Sequence, residues 1–234
     1  MRRFATPLRS SLVLAAATLV ASEANAETVP LLGLYAFGGY QGYAMGDIND
    51  WLDPVNEALS EPGAPMTIED LDGGASFGAG VLIDIDRNWR IYGEYERLAD
   101  ETGGGNQLGS FKVEVSSDAY LAGATYFLPS SGKTRFGIGA GLGYYEFKGS
   151  TESSGATAGA PFGSSLGAAG NTLGGHIRAE LDIAMSESMH LGAGLGYRKA
   201  SGQFEVNGDP TGVDVDWSGL MTRVGITYVG PLDF

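Results

Sequence analysis

The stretch TLGGHIRAELDI, residues 172–183, decides the fold. Its odd positions are Leu173, Gly175, Ile177, Ala179, Leu181 and Ile183; its even positions are Thr172, Gly174, His176, Arg178, Glu180 and Asp182. Apolar and polar residues alternate, and a period of two is that of a β-strand, whose successive side chains point to opposite faces. The run is longer than the usual strand of about 5–6 residues and suits the roughly 9–11 that a tilted strand needs to cross a bilayer.

Outward from this segment the pattern recurs. Phe77, Ala79, Val81, Ile83 and Ile85 oppose Ser76, Gly78, Gly80, Leu82 and Asp84. Trp89, Ile91, Gly93 and Tyr95 oppose Arg90, Tyr92, Glu94 and Glu96. Val113, Val115, Ala119, Leu121, Gly123, Thr125 and Phe127 are read as the apolar face of a fourth strand, against Glu114, Ser116, Asp118, Tyr120, Ala122, Ala124 and Tyr126. Phe136 to Tyr144 and Met189 to Tyr197 set apolar residues against rows of glycine, and Thr222, Val224, Ile226 and Tyr228 oppose Arg223, Gly225 and Thr227. A first strand near residues 31–43, whose two sides the sequence does not assign, brings the expectation to eight.

The connections alternate in length. Segments 86–88, 129–133 and 186–188 are short; segments 44–74, 100–112, 149–170 and 200–216 are long. Short turns at one end and long loops at the other follow the rule of outer-membrane barrels. The expected fold is therefore all-β: an eight-stranded antiparallel up-and-down transmembrane β-barrel. A soluble sandwich or lipocalin is the competing reading, because alternation alone does not say which face is inside. Two features favour the membrane. Aromatics stand near both strand ends on the apolar face, Trp89, Phe127, Phe136 and Tyr228 on the short-turn side and Phe77, Tyr95, Tyr144 and Tyr197 on the long-loop side, as two interfacial girdles would. From Phe136 to Tyr144 is roughly 26 Å of strand, or about 20 Å after a tilt near 40°, close to an apolar band of about 25 Å. The opposite face mixes Arg and Glu with glycine, a poor soluble core but a fitting lining for a narrow barrel.

On these motifs the chain resembles the small outer-membrane barrels of OmpA, OmpX, OmpW and opacity type, over nearly all of residues 27–234. Arg223-Val-Gly225-Ile-Thr-Tyr228 resembles the polar-x-Gly-x-x-aromatic signal read by the barrel-insertion machinery. Gly230 and Pro231 depart from it, since a second aromatic is common at the former position and the latter separates Phe234 from the strand. The resemblance implies a structural or surface-interaction role in a Gram-negative envelope. It also offers an alternative, passive passage of small hydrophobic molecules.

Composition agrees. The chain has 38 glycines in 234 residues, more than double the usual share of about 7%, but neither the period nor the proline of collagen. Hydrophobic residues at 43% argue against wholesale disorder. Absent cysteine excludes disulfides and thiolate metal sites. Net charge −14 argues against a nucleic-acid partner. Residues 1–26 read as a cleavable signal peptide: Arg2, Arg3 and Arg9, an apolar run, then Ala24-Asn25-Ala26. Its removal takes away three arginines and one glutamate and leaves −16. The chain stops just after the eighth strand, so no periplasmic domain is expected. A monomer is expected, with outer-membrane lipid and lipopolysaccharide as partners.

The polar face gathers Arg90, Glu94, Glu96, Arg178, Glu180, Asp182 and Arg223, along with Asp84, His176, His190 and Arg198. Charges inside a barrel must pair or be hydrated. An interior ion-pair network is expected, with Arg178 and Arg223 facing Glu94, Glu96 or Glu180; it either fixes the barrel or gates a narrow path. Catalysis is not expected. A lipid A deacylase would need a serine, a histidine base and an acid in reach. His176 has no serine two residues on, and Ser188 before His190 lies at the periplasmic end. No cofactor motif is present.

The first long loop carries Ile48, Trp51, Leu52, Val55 and Leu59 at helical spacing. A short amphipathic helix over the barrel mouth is expected, with Pro54 as the place where it would break. The same loop is acidic: Asp47, Asp50, Asp53, Asp70 and Asp72 either solvate the rim or hold a divalent cation weakly. The third loop, rich in Ser, Gly, Ala and Thr, is expected to be mobile. Phase changes after Tyr197 and after Trp217 predict bulges.

Overall fold

The computed structural model describes residues 30–59, 67–106, 109–157 and 160–231. The expected signal peptide and Phe234 lie outside the described residues. Eight strands form a closed ring: β1 (Leu31–Gly42), β2 (Gly73–Asp84), β3 (Trp89–Asn106), β4 (Gly109–Phe127), β5 (Thr134–Thr157), β6 (Ala160–Ala184), β7 (Met189–Lys199) and β10 (Gly219–Pro231). Every neighbour pair is antiparallel, and β1 against β10 closes the ring with Tyr35 opposite Thr227. The ring leaves no free edge at the level where all eight strands are present, so the backbone there is hydrogen-bonded throughout. Helix α1 (Gly46–Leu59) follows β1, and a hairpin of β8 (Ser201–Val206) and β9 (Asp209–Asp216) separates β7 from β10.

The apolar faces point outward. Leu142 is 76% exposed and Leu173 78%, whereas Arg178 on the opposite face is 3% exposed. In a water-soluble barrel those values would be reversed. The first strand, which the sequence left unassigned, turns Leu32, Leu34 and Tyr40 outward and buries Phe37 and Gln41.

Strand β4 corrects the expected facing. Val113, Val115, Ala119, Leu121, Thr125 and Phe127 are buried, while Tyr120 and Tyr126 are exposed. Phe127 therefore belongs to the interior and not to a girdle; Tyr126, its ring tilted against Trp89 with centres 5.1 Å apart, takes the outer position. The alternation misled because Ala122 and Ala124 are as apolar as the residues opposite them. Small residues meet lipid, and larger ones fill the lumen.

Three of the four long connections are not loops. Strands β3 and β4 remain paired from Trp89↔Tyr126 up to Asn106↔Gly109, and β5 and β6 up to Thr157↔Ala160. The segment expected to be mobile is thus paired sheet. Rich in Ser, Gly, Ala and Thr, it shows no apolar alternation to mark it as strand. The third hairpin, β8–β9, turns at Asn207 and Gly208 with φ of 56° and 89°, the left-handed pair that suits a two-residue hairpin. The chain leaves the ring at Ala200, whose carbonyl accepts from Trp217 N at 2.8 Å, and a register shift between Gln203 and Glu205 follows. The expected irregularities after Tyr197 and Trp217 correspond to this departure and return.

The helix runs unbroken through Pro54, against the break expected there. Tertiary contacts hold it. Asn49 exchanges hydrogen bonds with both backbone groups of Leu71 (3.0 and 2.9 Å), and two turns further on Asn56 does the same with Ile68 (3.0 and 2.7 Å). These two side-chain clamps tie the helix to the returning segment and offset the missing amide of proline.

Candidate functional site

The interior is built in layers. At the short-turn end, Arg90 donates to Asp84 (2.7 Å) and to Asp182 (2.9 Å), and Arg135 reaches the same two carboxylates at 3.1 and 3.0 Å. His190 Nδ1 stands 2.6 Å from Asp182. Both guanidinium groups lie over the Phe127 ring, at 5.0 and 4.4 Å from its centre. That explains why an aromatic is buried here: its face supplies the electron density that a desolvated cation lacks.

The middle layer joins Glu94, Arg178, Glu180 and Arg223. Glu94 accepts from Arg178 at 2.9 Å and from Arg223 at 2.9 Å, and Glu180 binds Arg223 at 3.1 Å and Arg178. Tyr35 donates to Glu94 at 2.5 Å. Two carboxylates and two guanidinium groups alternate, so the layer is electrically neutral. Arg178 also lies 3.9 Å over Tyr92, which in turn contacts His176 Nε2 at 2.7 Å.

Above it, Arg198 binds Glu96 and donates to Gln41 (2.7 Å), and Gln41 donates to Glu96 at 2.5 Å. The sequence groups Glu96 with Glu94 and Glu180 as partners for Arg178 and Arg223. The structure separates it: Glu96 sits one inward position further out, where Arg198 meets it. Arg135 and Gln41 are functional members that sequence reasoning missed. Arg135 shares its face with Gly137 and Gly139, so the period of two contains the signal.

An apolar plug closes the mouth. Ile48 and Leu52 of α1 are buried with Met45, Leu98, Val115, Phe147, Phe204 and Trp217. Trp51, grouped with them by spacing, is 41% exposed and leans on Phe111 at 6.3 Å between ring centres. Val55 packs at the edge of the cluster. Leu59 ends the helix, and its facing lies outside the described residues. Asp100, at the edge of the plug, accepts from Glu101 N at 2.9 Å, and burial holds its carboxyl above the ordinary range.

The rim is acidic and open to solvent. Asp47, Asp50, Asp53, Asp70 and Asp72 are all exposed, and among the described residues no group of three potential ligands converges. The long-loop girdle comprises Phe77, Tyr95, Tyr144 and Tyr197 with Tyr40 and Tyr120 added; the short-turn girdle comprises Trp89, Phe136 and Tyr228 with Tyr126 added. Between the two girdles no described outward-facing residue is charged.

Between the lower and middle layers lies a cavity of about 50 Å³, lined by Tyr35, Arg90, Arg178, Glu180 and Asp182 among others. That space is about the size of one or two waters.

These features define the class: the chain has the fold of the small eight-stranded outer-membrane β-barrels. No family model matches it, and no curated protein matches it. Among solved structures it is similar to a major outer membrane protein from Thermus thermophilus, with 11% identity, a TM-score of 0.52, and coverage of 87% of this chain and 100% of that one. The outer membrane protein OprG from Pseudomonas aeruginosa aligns at 12% identity and TM-score 0.45, covering 88% of this chain and 97% of that one. Neisserial surface protein A aligns at 11% identity and TM-score 0.41, covering 85% and 96%. The likeness is one of fold.

Proposed function

We propose that this chain is a sealed barrel of the Gram-negative outer membrane that stiffens the envelope and presents its tall β-hairpins for surface contact, without catalysis. One observation carries the reading: the lumen is filled by three neutral layers of paired charge and stoppered by the apolar face of α1. An uncharged outer belt between aromatic girdles supports the membrane setting. From the girdle at Tyr144 to the end of β5 at Thr157 is roughly 43 Å of strand, or about 33 Å of height after a tilt near 40°, which lifts the hairpin well clear of the bilayer.

Liposome swelling with graded solutes tests it. Refolded protein is expected to give no swelling above protein-free vesicles. Swelling that falls with solute size would overturn the sealed barrel and support passive passage instead.

The belt makes a separate prediction. Leu142 is 76% exposed at mid-height. Leu142→Arg is expected to destabilise the protein in bilayers by about 2–4 kcal/mol, as a charge at the membrane midplane does. Equilibrium urea unfolding from vesicles reads the loss. An unchanged midpoint would place Leu142 in water.

A further inference from the structure

The helix that stoppers the mouth is tied to its own return segment more firmly than to the ring. Residues 44–59 leave β1, and residues 67–72 lead back to β2. Tyr43 N donates to Asp72 O at 2.8 Å across the base of this unit, and the Asn49 and Asn56 clamps join its two arms above. Toward the rest of the molecule the described polar links lie at the periphery: Ala44 N to Asp216 O at 3.2 Å, Asp214 N to Asp47 Oδ2 at 3.3 Å, and Thr102 Oγ1 to Glu69 O at 2.7 Å. What seats the unit is apolar. Met45, Ile48, Leu52, Ile68 and Leu71 are buried against the mouth.

The seat also holds polar atoms. Tyr43 Oη, Trp217 Nε1, Ser117 Oγ and Asp100 Oδ2 are buried without a hydrogen-bond partner. Such groups oppose closure, because each regains water only when the cover lifts. The base has freedom too. β1 ends at Gly42, where a Cβ would make only ordinary contacts, the nearest with Asp72 O at 3.7 Å, and the backbone is not left-handed. Neither packing nor strain requires this glycine; what it supplies is a loose link.

We propose that residues 44–59 and 67–72 form a flap that lifts off the mouth as one body, hinged at Gly42, while the charge layers below stay closed, and that Asp100 makes its closure sensitive to pH. This rests on the sealed lumen given above. Asp100 stands at the base of the flap, paired on β4 with the uncharged Val115. Asp72 of the flap, Glu101 of its own strand and Tyr43 at the end of β1 face it. Burial holds its carboxyl above the ordinary range and the charges of Asp72 and Glu101 add to this, against hydrogen bonds from the backbone of Glu101 and Gly73. Lifting draws Asp72 away and admits water. The closed form therefore binds a proton more tightly than the open form, so acid favours closure and a rise in pH favours lifting. The lifted flap opens an apolar cup of Leu98, Val115, Phe147, Phe204 and Trp217 to the outside.

The chain has no cysteine, so a single introduced thiol reports cleanly. Ser117→Cys places one beneath the flap, and Thr125→Cys places one opposite Arg90 in the lowest layer; both positions are buried. Refolded protein in bilayers is labelled with a water-soluble maleimide, and each rate is divided by that of a free thiol at the same pH. Ser117→Cys is expected to label, more slowly in acid than at neutral pH, while Thr125→Cys stays unlabelled. Adding Asp100→Asn should abolish the pH difference. Adding Asp47→Cys with Asp214→Cys, joined as a disulfide, should slow labelling at position 117 about tenfold or more by withdrawing the open state, and reduction should restore it. Amides within α1 should keep their protection from hydrogen exchange while Ser117→Cys labels. The proposal is overturned by no labelling of Ser117→Cys, no slowing by the disulfide, a pH difference that is absent or that persists in Asp100→Asn, or loss of α1 protection on the labelling timescale. Labelling of Thr125→Cys as fast as Ser117→Cys would instead overturn the sealed lumen.

Discussion

Glu94→Ala is expected to cost about 3–5 kcal/mol of stability, because it strips the shared carboxylate from two buried guanidinium groups. The Glu94 side chain is fully buried, with Arg178 at 2.9 Å and Arg223 at 2.9 Å. Glu180 would remain as their partner, so the middle layer changes from neutral to one excess positive charge. An unpaired charge in a lumen filled by side chains cannot recover the hydration it gave up on folding. Tyr35 would also lose the acceptor of its 2.5 Å hydrogen bond. The measurement is the urea midpoint of refolded protein in bilayers. Glu101→Ala, which breaks a pair with exposed Lys112 at 2.8 Å, serves as comparison and is expected to leave the midpoint in place. If Glu94→Ala unfolds at the wild-type midpoint, the layer is hydrated and the sealed-lumen reading fails with it.

Gly39→Val is expected to be still more severe, and to prevent closure of the ring. Gly39 faces inward on β1 against β10, and a Cβ there would stand 1.9 Å from the backbone oxygen of Thr222. No rotamer relieves a clash between a Cβ and a carbonyl; the two strands must separate. They are the first and last of the ring, so separation opens the barrel and leaves two unpaired strand edges in lipid. Unheated samples should lose the compact, fast-migrating species on a gel. Its neighbour supplies the control. Gly38 faces outward, and a Cβ there has Ser76 O at 3.8 Å as its nearest atom, so Gly38→Val should close normally. A folded Gly39→Val protein would show that the seam tolerates a strand separation the ring geometry does not.

Much of this architecture was legible in the chain because lipid imposes a strict rule. Wherever large apolar residues alternate with charge, as in residues 172–183, only one assignment of faces is physically acceptable once the barrel is in a membrane. Strands β2, β3, β5, β6, β7 and β10 follow it. β4 did not yield to the same reading, since both of its faces are apolar; what separates Phe127 from Tyr126 is the presence of Arg90 and Arg135 behind Phe127, a fact about other strands. The tall hairpins were read as loops for a related reason. Ser, Gly and Thr carry no periodic mark even when fully paired.

The charged interior divides along the same line. That Arg178, Glu180 and Asp182 share a face follows from a period of two. That Glu96 binds Arg198 while Glu94 binds Arg178 and Arg223 depends on the stagger of strands around the ring, which local sequence does not encode. The helix shows both sides at once. Spacing of Ile48, Leu52 and Val55 determines an amphipathic helix; that it passes through Pro54 unbroken, and turns Trp51 outward, was decided by the Asn49 and Asn56 clamps and by the shape of the mouth it fills. Sequence alone determined the eight segments of the ring and, outside β1 and β4, which of their faces carries charge, because those properties are set within a few neighbouring residues. Pairing across the lumen arises only when strands distant in the chain are brought to one height, and the closing of the ring sets that height.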